Sequence, residues 1–152
     1  MKQSKRSTLH LLIDLAKARS DKALRSMLHI TANVQESQRK FDALEKYLGE
    51  YEQRLSSAAN TGMDVEQLSN FRLFLSKLGQ AVDQQALEMS ELEDRGKVAR
   101  GKWQAEERKH LTFETLQRRE QARQDTEDAR RSQKLLDSFV SQRAAAKAAS
   151  EV

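Results

Sequence analysis

The sequence predicts an all-α protein. The expected architecture is a two-helix antiparallel coiled-coil hairpin with a longer second helix overhanging at the C-terminal end. Three observations predict it. Apolar residues recur at alternating steps of four and three in two long runs, the seven-residue repeat of helices that wind about each other. One short polar break, at 57–63, separates the runs. No proline interrupts them, and charged residues make up 33% of the 152, the composition of long helices and not of a compact globule.

The first helix is expected over about residues 5–57. Its seam reads Leu9, Ile13, Ala16, Ser20, Ala23, Met27, Ile30, Val34, Ser37, Phe41, Leu44, Leu48, Tyr51, Leu55 and Ala58. Ser56, Ser57, Asn60, Thr61 and Gly62 are turn formers and predict a loop over about 58–63. The second helix is expected over about 64–145, opening at Asp64 with Gln67 three positions on as a capping partner. Its seam reads Leu68, Phe71, Leu75, Leu78, Val82, Gln85, Met89, Leu92, Gly96, Ala99, Trp103, Glu106, His110 and Phe113. A frayed tail follows, and the whole chain, 1–152, reads as one helical hairpin domain.

A short loop makes long helices antiparallel neighbours, so folding the chain about residue 61 sets the register. Leu55 then meets Leu68, Tyr51 meets Phe71, Leu48 meets Leu75, Leu44 meets Leu78 and Phe41 meets Val82. The polar exceptions coincide, because Ser37 falls opposite Gln85 and makes a layer suited to fixing register. Ser20 falls opposite Trp103 and Met27 opposite Gly96, small against large, as dense packing requires. The pairing is expected to stop where Leu9 meets Phe113. About 35 residues then overhang, on the order of 50 Å of helix at 1.5 Å per residue. Gln117, Glu120 and Gln124 occupy the next seam positions, and a short apolar stripe returns at Leu135, Leu136, Phe139 and Val140. An isolated polar helix is marginal in water, so the overhang is expected to fray alone and to order on a partner.

Several function classes are excluded. There are no cysteines, hence no disulfides or thiolate metal sites. No apolar run approaches the roughly 18 residues of a spanning helix. Lys2, Lys5 and Arg6 before Leu9, Leu11, Leu12 and Ile13 resemble a signal peptide, but Asp14 and Lys17 break the apolar run too early. The chain reads as cytoplasmic. Its net charge of +4 comes from intermixed signs, a solvated helix surface more simply than a nucleic-acid footprint. His10, His29 and His110 are not spaced as ligands. No phosphate loop or nucleophile motif is present. The reading is no enzyme, no cofactor and no metal.

Two features exceed what a seam needs. Leu73, Phe74 and Ala81 lie beside Phe71, Leu75, Leu78 and Val82, a face too wide for two strands to cover. It reads as a docking surface near the loop, or more plainly as a wider core or a self-association surface. Trp103 reads as core filling in preference to a partner anchor.

Four groups of residues carry a family resemblance: Tyr47 with Tyr51, Glu52 and Gln53; Asn70, Phe71, Phe74, Leu78, Ala81 and Val82; Trp103, then Phe113 with Thr115, Leu116 and Gln117; and Gln133, Lys134, Leu135, Leu136 and Asp137 with Phe139, Gln142 and Arg143. From about Leu9 to Ala145 the chain resembles the FliJ family of flagellar export proteins. Phe113, where family members carry tryptophan, and Gln85, where some carry histidine, depart from the pattern.

The resemblance implies a component of the flagellar type III export apparatus, built like the central stalk of a rotary ATPase. It implies three partners: the hexameric export ATPase, the membrane export gate protein and the flagellar export chaperones of late substrates. It also implies a peripheral location at the inner face of the cell membrane, at the flagellar base, with no direct membrane insertion. Phe74, Leu78, Ala81 and Gln85 would face the gate. Gln117, Arg118, Gln133, Lys134 and Phe139 would contact the ATPase. The open alternatives are the equivalent stalk of a virulence type III secretion system, a nucleic-acid-binding helical arm, and a generic coiled-coil scaffold.

Overall fold

The computed structural model describes residues 2–151. Two helices form, α1 (Lys2–Thr61) and α2 (Val65–Ser150). The loop is shorter than the turn formers suggested. Ser56, Ser57 and Asn60 remain helical, and the Thr61 hydroxyl donates back to the carbonyls of Ser57 and Ala58. Gly62, at φ +84°, is the first residue to leave the helix, in the left-handed conformation that commonly ends one. Asp64 precedes α2 directly and its carbonyl accepts from Leu68 N at 2.9 Å, the position expected of an N-cap.

Both helices also outrun their expected ends. α1 begins at Lys2, not near 5. α2 continues past 145 to Ser150 where a frayed tail was expected. Ala144, Ala145, Ala146, Ala148 and Ala149 fill that stretch, and alanine is the residue least costly to keep helical.

The chain divides into two compact units: Arg19–Glu106, and Met1–Ala18 with Glu107–Val152. In the first, the two helices meet along the expected seam. Ser20, Ser37 and Ala99 are buried, and the other seam residues between Ala23 and Trp103 are half-buried. Gln85 Nε2 donates to Ser37 Oγ at 2.9 Å and to its carbonyl at 3.3 Å, so the polar layer forms as the register required. The rings of Tyr51 and Phe71 lie 6.0 Å apart. A Cβ on Gly96 would stand 3.8 Å from Ile30 Cγ2, so the absent side chain leaves ordinary packing room.

In the second unit, Ile13 and Ala16 are buried and Leu9 half-buried, with His110, Phe113 and Glu120 half-buried on the facing helix. The pairing does not stop at Leu9 and Phe113. Arg6 Nη2 donates to Gln121 Oε1 at 3.3 Å, and Gln124 is buried. The extra turns of α1 cover polar seam positions, which the aliphatic stems of long side chains pack well against. The unpaired stretch is therefore shorter than expected. Every residue from 128 to 151 is exposed, about 35 Å of helix at 1.5 Å per residue.

Candidate functional site

Two surfaces hold the candidate residues. The first lies in the Arg19–Glu106 unit, close to the loop. Phe74, Leu78, Ala81 and Gln85 follow one another at steps of four, three and four, one stripe of α2. Phe74 and Ala81 are exposed, whereas Leu78 and Gln85 are half-buried. The Gln85 amide is already engaged by Ser37. Phe74 and Ala81 are thus open to a partner, and Leu78 and Gln85 support them from the seam.

The first helix supplies a part that the sequence stripe did not include. The Phe74 ring stands edge-on to Tyr51 at 5.0 Å, a favoured aromatic geometry. Arg54 covers the same Tyr51 ring at 5.0 Å, and Tyr47, one turn earlier, is 55% exposed. The signal for this cluster was present. Tyr51 sits opposite Phe71, and Phe74 follows Phe71 by three, so one tyrosine reaches both. Leu73 is exposed but does not join them. At 100° per residue it points almost directly away from the seam of α2.

The second surface lies in the unit that contains Glu107 onward. Gln117 and Arg118 are exposed on its paired part. Gln117 borders a depression with Arg6, Leu9, His10, Glu120 and Gln121, and Arg118 Nη2 stands 3.8 Å from Glu114 Oε2. Gln133, Lys134 and Phe139 lie on the unpaired stretch, where Gln133 Nε2 donates to Asp137 Oδ1 at 3.1 Å. Phe139 is 61% exposed, and Leu135, Leu136 and Val140 are comparably open. The structure does not bring the five candidates onto one patch, because Gln117 and Arg118 fall on paired helix and the other three on unpaired helix.

Charge contacts brace the junction between paired and unpaired helix. Arg123 donates through Nε and Nη2 to the two oxygens of Glu120 at 3.2 and 2.7 Å, and through Nη1 to Glu127 at 3.1 Å. The Arg123 hydrogen bond holds the Glu120 carboxyl below its ordinary value, against a smaller opposing effect of burial. Glu120 in turn raises the Arg123 guanidinium. Further up, His110 stands 3.1 Å from Glu114 and 3.6 Å from Glu107. These contacts lie on one helix at i, i+3 and i, i+4, the pairs that support a helix with few tertiary contacts.

Among the described residues, no group of three His, Cys, Asp or Glu side chains is placed to hold a metal ion. Among the same residues, no helix is long and apolar enough to cross a membrane.

An antiparallel helical pair, with an aromatic cluster in one unit and an uncovered stretch of helix in the other, defines a coiled-coil protein. The comparisons with known proteins give that class a family. The family model described as the flagellar FliJ protein matches residues 4–149. The flagellar FliJ protein of Salmonella typhi is 27% identical over 137 residues, covering 90% of this chain and 92% of the relative. That of Escherichia coli (strain K12) is 26% identical over the same length and coverage. The chain belongs to the FliJ family, and is a component of flagellar protein export.

Proposed function

We propose that the chain acts as a stalk-like adaptor of the export apparatus. The unpaired end of α2 contacts the hexameric export ATPase and stimulates it. The aromatic face near the loop contacts the membrane export gate protein and takes up export chaperones emptied of late substrates. The protein works at the inner face of the membrane, at the flagellar base, and performs no catalysis itself.

The observation that carries this reading is the uncovered helix from 128 to 150. A single helix is narrower than a pair and suits the opening of a ring. Its polar side chains offer many weak contacts in place of one deep anchor. Gln133, Lys134 and Phe139 are its expected contacts, with Gln117 and Arg118 meeting the rim of the ring. At the other surface Phe74 is the expected anchor, since exposed aromatic side chains dominate interface energetics. Ala81 lies beside it, with Leu78 and Gln85 as its support.

Truncation after Asp128 tests the ATPase reading. The shortened chain should lose its stimulation of the export ATPase and still melt cooperatively, since the cut falls beyond the last buried residue, Gln124. Full stimulation by the truncated chain would overturn the assignment.

A further inference from the structure

The signs of charge are intermixed along most of the chain, but not at its exposed end. From 128 to 151 there are five basic residues, Arg130, Arg131, Lys134, Arg143 and Lys147, and three acidic ones, Asp128, Asp137 and Glu151, of which Asp137 alone lies between the first and last basic residue. Every one of these positions is exposed. The apolar side chains of the stretch are not scattered. At 100° per residue, Leu135, Leu136, Phe139 and Val140 fall within one arc of about 140°. Arg130 and Lys134 fall on the opposite side, and Arg131 on the flank about 40° from Leu135. Arg143 and Lys147 continue the apolar arc one and two turns further on, where their long stems can lie along an apolar boundary with the charge turned outward.

We propose that this stretch adsorbs to an anionic lipid surface, lying in the headgroup layer and spanning nothing. Charge complementarity selects this occupant. An apolar protein groove laid against the arc would bury Arg143 and Lys147 and crowd Arg131 with nothing to pair them, whereas lipid phosphates meet all three. A headgroup layer surrounds a half-sunk helix on its flanks, so apolar burial and basic charge act together. Four large apolar side chains make a shallow anchor, and binding of this kind depends on both contributions. The proposal does not rest on the ATPase reading, and a lipid assay contains no ATPase.

The test is co-sedimentation of the full chain with vesicles. One set contains phosphatidylglycerol in phosphatidylcholine, the other phosphatidylcholine alone. Pelleting is expected with the first and not the second, and it should fall steeply as salt screens the surface. Replacing Arg131→Gln with Arg143→Gln should weaken partitioning by roughly 25-fold, at about fivefold per basic side chain near an anionic surface. Leu136→Ser with Phe139→Ser should abolish pelleting while circular dichroism still reports two long helices. Equal pelleting with both lipids would overturn the proposal, as would pelleting that survives truncation after Asp128. Failure to pellet with either lipid would also overturn it and assign the face to a protein.

Discussion

The seam between Ala23 and Met89 and the seam between Leu9 and Gln124 are built on one heptad rule but from different materials. The first is a run of aliphatic and aromatic layers interrupted once, by Ser37 and Gln85. The second starts from Ile13 and Ala16 and passes into Glu120 and Gln124, bridged by the Arg6–Gln121 hydrogen bond, with ion pairs that support α2 alone. Apolar burial scales with area and involves no charge to titrate or to screen. Exposed ion pairs are weak and screened. The Arg19–Glu106 unit therefore carries the stability of the fold. The other unit is the one that yields.

The largest expected effect lies in the apolar seam. Leu48→Ala or Leu75→Ala should destabilise the protein by about 2 kcal/mol, the low end for leucine truncation because both are half-buried. Chemical denaturation checks this. A loss no greater than that of an exposed leucine would mean that the seam is not where the energy lies. Next comes the polar layer. Ser37→Ala removes the shorter of the two Gln85 bonds and leaves the amide only the backbone carbonyl at 3.3 Å, at a cost of about 1 kcal/mol, and Gln85→Leu should recover that stability while loosening the register.

Acid should separate the units by a smaller margin. A carboxyl with a depressed folded value contributes stability above its unfolded value, and that contribution is lost as pH falls through the folded value. Glu120 is such a group. The amides around 117–127 should therefore lose hydrogen-exchange protection below the ordinary carboxylate range, before those around 71–89 do. Uniform loss along both stretches would contradict the division. The smallest effect belongs to the unpaired stretch, where Leu136→Ala should change global stability by less than about 0.5 kcal/mol.

The sequence made the apolar register legible. The Tyr51–Phe71 and Ser37–Gln85 contacts follow from spacing alone, because one wrong step would have exposed a whole stripe. The end of pairing was not legible. Glu120 and Gln124 occupy seam positions but do not read as seam, since hydropathy cannot signal a buried glutamine. The loop was overdrawn for a related reason, as Ser57, Asn60 and Thr61 look like turn formers until Gly62 is seen to make the turn. At the candidate site, Phe74 and Ala81 were readable as excess beside the seam. The reach of Tyr51 to Phe74 follows from the same spacing, whereas Arg54 over the Tyr51 ring was not readable, because it depends on ring geometry. The basic bias of the last turns was hidden by an overall charge balance that treats all helix faces alike.

The central claim is that two separate surfaces serve two partners. The direct measurement compares Phe74→Ala and truncation after Asp128 in two assays run together, binding to the export gate protein and stimulation of the export ATPase. The account predicts a crossed result: Phe74→Ala loses gate binding and keeps stimulation, and the truncated chain loses stimulation and keeps gate binding. Joint loss of both activities in either well-folded variant would contradict it.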